Sequence, residues 1–493
     1  MSNRSAASSS PRDLPNAGGS RGDAGEAVVS IAVSEDTRFD SDGDRRDTIA
    51  AIATPAGRGA VAIVRVSGPA ARTVARCVFR SRRALRPRVA TFGAIVDQRG
   101  ERIDEGLALW FEGPHSYTGE DVLELHVHGS PAVARDTLIA TLAGGARIAG
   151  PGEFTRRAFL AGKMDLSAAE AVADLIAAEH RSAAQSALAR LSGGLAHEVD
   201  GARSQIAAVL EELAAAIDFP DEVEDPQRSR LAERLRAIEQ QLAGLAATWE
   251  RGRLVREGAG VAIVGPPNAG KSSLLNALLG ADRVLVSELA GTTRDTVEEL
   301  LALEGCCARL IDTAGLRRAS DRLEVAGVAR AEAALDTARI ALVVVDGSRS
   351  LDADANAVLE RTRARQRLVL FNKRDLGCRG YDERDPAERD ALFGSVFDAA
   401  TLERLRAALT ALIAGGEQID VARPHLGTAR QFDAVLRAWR ALELALETLD
   451  AGDPVDLIAG DLTVAFASLG ELSGSAANEA LLDAIFARFC IGK

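Results

Sequence analysis

The sequence predicts a multidomain α/β protein: an α+β domain at the front, then a helical domain interrupted by a mostly parallel α/β domain. Three observations carry this. Short β-rich runs separated by turn clusters fill residues 47–162. Apolar residues then step by three or four through residues 163–253, and the same spacing resumes after residue 414. Between those helical stretches lies a β-branched run, a glycine loop and a short apolar helix pattern. A helical pattern that stops and resumes around a self-contained α/β segment is most economically an insertion. The expected division is therefore 1–46, an extension; 47–162, α+β; 163–253 and 415–493, helical; and 254–414, inserted.

Composition bounds the rest. A chain of 493 residues is long enough for about three domains. The formal net charge of −12 argues against holding nucleic acid by general basicity, though not against a local basic face. No run of 18 apolar residues occurs, so no membrane span is expected. Residues 1–46 are rich in Ser, Gly, Arg and Asp and lack an apolar core, which reads as a disordered extension rather than a signal peptide. Cys77, Cys306, Cys307, Cys378 and Cys490 show no zinc spacing and suit a reducing cytoplasm. Of the 59 basic residues only four are lysines, Lys163, Lys271, Lys373 and Lys493. A chain that defaults to Arg keeps Lys chiefly where a compact ammonium matters, so all four are functional candidates.

In order along the chain, strands are expected at 60–66, 107–111 and 122–127. Arg58, Arg65 and the stretch 71–96, with seven arginines and no acid, form the most basic region. It reads equally as a solvated helix face or a nucleic-acid patch. Glu124, His126 and His128 alternate and so share a strand face, as metal ligands or as ordinary polar residues. The run Pro151-Gly152-Glu153-Phe154-Thr155-Arg156-Arg157 leads into Ala/Leu-rich helices. There Leu188, Leu191, Leu195 and Val199, then Ile206, Val209, Leu213 and Ile217, keep helical spacing. After the insert Phe432, Val435, Trp439, Leu442, Leu446 and Leu449 do the same.

The insert carries the chemistry. Gly265 through Asn268-Ala269-Gly270-Lys271-Ser272-Ser273 has the spacing G-x-x-x-x-G-K-S between a strand and a helix. Glycines let successive N–H groups turn inward on a phosphate, and the helix N-terminus adds partial positive charge. Lys271 would reach the β- and γ-phosphates, and Ser272 would ligate Mg²⁺. Asp312-Thr313-Ala314-Gly315 follows an apolar run that would deliver a carboxylate to the Mg²⁺ shell. Asn372-Lys373-Arg374-Asp375 follows another. A carboxylate at Asp375 accepts from both N1–H and N2–H of guanine, a pair adenine does not offer, which rejects the wrong base by roughly 10⁴. Gly291-Thr292-Thr293 lies between, with Thr293 aimed at Mg²⁺. Four such motifs in order specify a GTP site on a Ras-like P-loop NTPase domain.

Leu316 stands where small GTPases commonly carry a water-orienting Gln, so another group must do that work. Glu324 is the candidate, with a surface residue of the following helix as the alternative. Asn268 could contribute an oxygen to a monovalent cation, K⁺, supplying the charge of a missing arginine finger. At the end of the chain, in Phe489-Cys490-Ile491-Gly492-Lys493, Cys490 is either a buried free thiol or a nucleophile whose thiolate a cation such as Lys493 stabilises.

Together these stretches resemble the MnmE (TrmE) family of tRNA-modification GTPases over about 47–493. Residues 47–59, 116–121, 151–165 and the terminal Phe489-Cys490-Ile491-Gly492-Lys493 add specificity to the GTP motifs. The resemblance implies a folate-binding-like N-terminal domain that dimerises, a helical domain, and a G domain that dimerises with potassium and nucleotide. It implies a homodimer and a heterotetramer with FAD-containing MnmG. The product would be a carboxymethylaminomethyl-type group on C5 of the wobble uridine of certain tRNAs. The one-carbon source would be 5,10-methylenetetrahydrofolate, with 5-formyltetrahydrofolate as an analogue. By motif position Arg65, Glu124, Lys163 and Lys493 would contact folate. Asn268, Ser287, Leu289 and Thr292 would hold K⁺ within a nucleotide-contacting segment that includes Glu288, Ala290 and Gly291. Ser272 and Thr293 would hold Mg²⁺, Glu324 matches the catalytic glutamate, and Cys490 matches a cysteine tied to modification.

The sequence departs from the family in two places. The guanine-supporting loop usually reads Ser-Ala followed by glycines, and here the best match is Gly394-Ser395-Val396-Phe397; residues 1–46 have no counterpart. A ribosome-assembly or RNA-associated GTPase switch is the alternative, disfavoured because no KH-type G-x-x-G loop follows the insert. A self-assembling mechanical GTPase is disfavoured by the lack of membrane-binding segments.

Overall fold

The computed structural model describes residues 47–223, 226–280, 298–312, 332, 334–377, 391–416, 419–421 and 423–493. The first layer is a seven-stranded sheet of order β3-β4-β5-β6-β2-β1-β7. Its strands are β1 (Ile49–Ile52), β2 (Val61–Ser67), β3 (Phe79–Arg80), β4 (Thr91–Val96), β5 (Arg102–Phe111), β6 (Val122–His128) and β7 (Arg147–Ile148). All pair antiparallel except β1 with β7. Val64, Val66, Leu123, Leu125 and Val127 point to one face and pack under α1 (Ala71–Val78) and α2 (Pro131–Ala143). The strand period of two therefore sends Arg65, Glu124 and His126 to the other face.

α3 (Glu153–Leu160), α4 (Leu166–Ala177) and α5 (Arg181–Leu191) lead into the long pair α6 (Gly194–Asp218) and α7 (Arg228–Ala247). α8 (Trp249–Glu257) then enters the inserted domain. Beyond the insert come α12 (Ala429–Ala451), α13 (Val455–Ser473) and α14 (Glu479–Phe486). α6, α7, α12 and α13 share one apolar core, so helices on either side of the insert form a single bundle. The predicted stripe holds at Leu195, Val199, Ile206, Val209 and Leu213, all fully or nearly fully buried. It fails at Leu188 and Ile217, which are exposed. α5 ends at Leu191, and Gly193 in the left-handed region (φ 84°) starts a new helix, so the phase does not carry across.

The insert is a six-stranded sheet of order β13-β12-β11-β8-β10-β9, comprising β8 (Ala259–Val264), β9 (Glu298–Ala302), β10 (Cys307–Asp312), β11 (Ile340–Asp346), β12 (Arg367–Asn372) and β13 (Leu392–Phe393). Only β9 runs antiparallel to its neighbour. β11 is buried along its whole length, as a strand covered on both faces must be. α9 (Lys271–Gly280), α10 (Ala353–Thr362) and α11 (Ala399–Ala414) accompany the sheet, with an apolar layer on each face.

Candidate functional site

At the carboxyl ends of β8, β11 and β12 the chain leaves the sheet in three loops, the place where open parallel sheets bind ligands. β8 runs into Gly265, where a Cβ would strike the Val344 carbonyl oxygen of β11. Asn268 (φ 61°) and Gly270 (φ 102°) both adopt left-handed backbone, and a Cβ on Gly270 would strike the Asn372 side-chain amide. The glycines are thus there for close approach of two loops as well as for the turn. α9 begins at Lys271, so its unpaired N–H groups open onto the same cleft.

Asn372 ties the site together. Its Nδ2 donates to the Ala269 carbonyl at 2.9 Å, and its Oδ1 accepts from the Val396 N–H at 3.0 Å. One buried side chain therefore sets the phosphate loop against the 394–397 loop. Lys271 Nζ donates to the Gly265 and Pro266 carbonyls, each at 2.8 Å. Lys373 (φ 66°) donates to Asp346 Oδ2 at 2.8 Å. Burial pushes the Asp346 carboxyl up, but hydrogen bonds from Lys373 and Ser348 outweigh it and hold the group below the usual carboxylate range. The Arg374 N–H donates to the Gly394 carbonyl at 3.1 Å, fixing the short turn that presents Asp375.

The resulting cleft has a volume of about 600 Å³ and is lined by Asn268, Gly270, Lys271, Ser272, Ser273, Lys373 and Asp375, among others. Ser395 is buried just behind it, while Phe397 stands at its mouth, 83 % exposed. Asp312 ends β10 in register with Ile263 of β8, which puts its backbone at the same sheet edge. Ser287, Glu288, Leu289, Ala290, Gly291, Thr292, Thr293, Thr313, Ala314, Gly315 and Glu324 lie outside the described residues. The sequence reading missed Asp346, although an acid closing an otherwise apolar strand was a signal; it named Phe397 only as the last residue of the 394–397 loop, with no role of its own.

A second convergence joins the two ends of the chain. Arg65 and Glu124 are cross-strand partners, with Arg65 Nε donating to Glu124 Oε1 at 2.9 Å. The guanidinium sits 5.6 Å from the Tyr117 ring and 5.7 Å from the Phe154 ring, within cation–π range. The terminal segment returns to this face: Pro151 and Ile491 form a bridge, the Phe154 N–H donates to the Lys493 carbonyl at 3.2 Å, and Arg65 Nη1 reaches the Gly492 carbonyl at 3.5 Å. Gly492 (φ 100°) lies so close to Ile52 that no side chain fits. Lys493 is half-buried, and burial first and Arg65 second hold its ammonium below the usual lysine range. Arg65, Glu124 and Lys493 are thus brought together; Lys163 is exposed and lies beside Gly119 on the neighbouring loop.

Glu153 anchors that loop. Its fully buried carboxylate accepts from Arg147 (2.7 and 2.8 Å), from Arg157 (2.8 Å) and from the Gly150 N–H (2.8 Å). Cys490 is exposed, which overturns the buried-thiol reading: the terminal segment docks through its backbone and leaves the thiol outward. The metal reading of the β6 face also fails. His128 turns to Asp104 at 2.8 Å, and among the described residues no cluster of His, Cys, Asp or Glu could hold a metal ion.

Two family models match the chain, one described as MnmE helical domain over residues 166–490 and one as GTP-binding protein TrmE N-terminus over 48–163. Among curated relatives, the tRNA modification GTPase MnmE of Chloroflexus aurantiacus is 43 % identical, covering 91 % of this chain and 100 % of that protein. The protein of the same name from Halorhodospira halophila is also 43 % identical, over 94 % of this chain and 100 % of its own length. That of Heliobacterium modesticaldum is 40 % identical, over 91 % and 99 %.

Proposed function

The chain belongs to the MnmE family of tRNA modification GTPases, and we propose that it couples potassium-stimulated GTP hydrolysis to wobble-uridine modification. Working with an FAD-bearing MnmG partner in a heterotetramer, it adds a carboxymethylaminomethyl-type group to C5 of that uridine in certain cytoplasmic tRNAs. The observation that carries this is the cleft in which the α9 N-terminus, Lys271, Ser272 and Asp375 converge, locked to the base-side loop by Asn372.

In this reading the amides of residues 268–273 and Lys271 cradle the phosphates. Asn372, Lys373, Arg374 and Asp375 fix the guanine, with Ser395 supporting the loop behind it. Ser272 lines the cleft as an oxygen donor of the kind Mg²⁺ takes, with Thr293 and Asp312 completing its surroundings. Asn268 lines the same cleft and would share K⁺ with Ser287, Leu289 and Thr292. When bound, these cations neutralise charge developing on the phosphates. Glu324 orients the attacking water, the Gly315 N–H approaches the γ-phosphate, and residues 288–291, 313 and 314 contact the nucleotide.

Arg65, Glu124 and Lys493, with Lys163 on the adjoining loop, hold the folate, 5,10-methylenetetrahydrofolate in turnover and 5-formyltetrahydrofolate as an analogue. A guanidinium flanked by Tyr117 and Phe154, facing a carboxylate, suits a flat polar ring with both donors and acceptors. The 47–162 domain pairs the homodimer, and exposed Cys490 acts at the edge of this site. The deciding experiment is nucleoside mass spectrometry on bulk tRNA from cells with and without the gene. A C5-aminomethyl-type uridine is lost on deletion and restored by the intact protein but not by Cys490→Ser; unchanged nucleosides would overturn the modification reading and leave a GTPase of other output.

A further inference from the structure

The basic stretch 71–96 folds into something more specific than a solvated face. Arg72 and Arg76 are one helical turn apart on the exposed side of α1. The segment after β3 then doubles back: Pro87 bridges to Trp110 of β5, and the Arg88 N–H donates to the Trp110 carbonyl at 2.8 Å. That return brings Arg83 to the same side. Arg72, Arg76, Ser81, Arg83, Leu85 and Trp110 line a pocket of about 250 Å³ in which no lining residue is acidic. Arg72 lies over the indole at 4.9 Å and pairs with Glu112 at 3.7 Å, both side chains being largely exposed.

The second observation is at the pocket wall. Trp110 is 98 % buried, yet its Nε1–H has no hydrogen-bond partner. A buried donor left unpaired keeps its desolvation cost uncompensated, so an acceptor that reached it would recover that cost. Three guanidinium groups lining one pocket, with Trp110 and its unpaired N–H in the wall, are matched by a group with several negative oxygens, a phosphate. The chain as a whole carries −12, so a polyanion needs a local site of this kind to approach at all.

We propose that this pocket grips the sugar–phosphate backbone of the RNA substrate; the proposal rests on the tRNA reading above and names where that RNA is held. The pocket sits on the helix-covered side of the seven-stranded sheet, whereas Arg65 and Glu124 point from the opposite face. It therefore anchors RNA without competing for the residues of the second convergence.

The test is binding of fluorescein-labelled tRNA to the full chain by anisotropy across a KCl series. Arg76→Gln/Arg83→Gln, which leaves the Arg72–Trp110 stack intact, should weaken binding about tenfold at 100 mM salt. It should also flatten the log K against log salt slope by about 1–2. GTP turnover and dimer mass should stay unchanged. Trp110→Phe, which keeps the ring but removes the donor, should weaken binding severalfold with the slope unaltered. Wild-type slope and affinity in the double variant would overturn the pocket proposal alone. So would loss of the dimer in that variant, or displacement of tRNA by a polyglutamate peptide at matched ionic strength. No tRNA binding by the wild type at any salt would instead sink the tRNA reading on which it rests.

Discussion

The nucleotide cleft and the Arg65–Glu124–Lys493 junction are both polar, yet they are built in opposite ways. The described cleft residues lie at the end of β12, in the loops after β8, β12 and β13 of one mostly parallel sheet, or at the start of α9. The sheet edge thus aligns the groups, and one side chain, Asn372, locks two loops. The junction instead closes between Arg65 and Gly492, 427 residues apart, and is held by backbone hydrogen bonds to a segment with no strand or helix of its own. A site on strand ends keeps its frame when a side chain other than the Asn372 lock is lost. A site made by docking a tail loses its shape when the receiving loop is disturbed.

The largest expected effect breaks the first region while sparing the second. Lys271→Ala should lower GTP turnover roughly 10³-fold at saturating nucleotide, the cost of removing one charge-stabilising donor from a buried reaction site. Thermal stability and folate binding should not move. Phosphate release is the measurement, and a loss below tenfold would mean that Lys271 does not reach the phosphates.

The second effect reverses the pattern. Glu153→Gln strips the buried carboxylate from Arg147 and Arg157 and should destabilise the N-terminal half by about 3 kcal/mol, with folate affinity falling and GTP turnover intact. Burial pushes the Glu153 carboxyl up, but Arg147 foremost, then Gly150 and Arg157, hold it below its ordinary value of 4.5. The unfolded chain therefore binds the proton first. The stabilisation is complete above pH 4.5 and is lost as pH falls through the folded value, so the wild type should melt progressively lower on acidification. The variant should show a flatter profile. Equal slopes in melting curves taken between about pH 3 and 7 would remove Glu153 as the anchor.

This contrast explains what could be read from the chain. The cleft was legible because its motifs sit where strand, turn and helix signals already coincide: Gly265, Gly270 and Lys271 are local necessities. Lysine scarcity singled out Lys493 and so pointed to the junction, but not to its partners, because nothing local links Arg65 to a terminal carbonyl. Cys490 was left between burial and exposure, since a tail that docks through backbone leaves no side-chain pattern. Leu188 and Ile217 looked apolar and periodic, yet a helix break at Gly193 and the end of α6 put them beyond the bundle. The Glu153 cluster was missed for a related reason: Arg157 lies four residues on in the same helix, but Arg147 lies on β7, and only folding aligns it.

The smallest effect sharpens the one part of the cleft that the sequence marked weakly, the 394–397 loop. Val396 is fixed to Asn372 and Ser395 is buried, so the loop's backbone is set from behind. Phe397 faces outward at the mouth, 83 % exposed, and an exposed ring there gains only by covering a bound base. Aromatic–base stacking is worth about 1–3 kcal/mol, and solvent exposure keeps this instance near the lower figure. Phe397→Ala should therefore raise KM for GTP about fivefold and leave kcat unchanged, because the ring covers the base and does not touch the phosphates. Phe397→Leu should recover only part of the loss. Parallel falls in kcat and kcat/KM would show instead that the ring braces the loop behind Asp375, which would make this edge of the cleft depend on packing in the way the junction does.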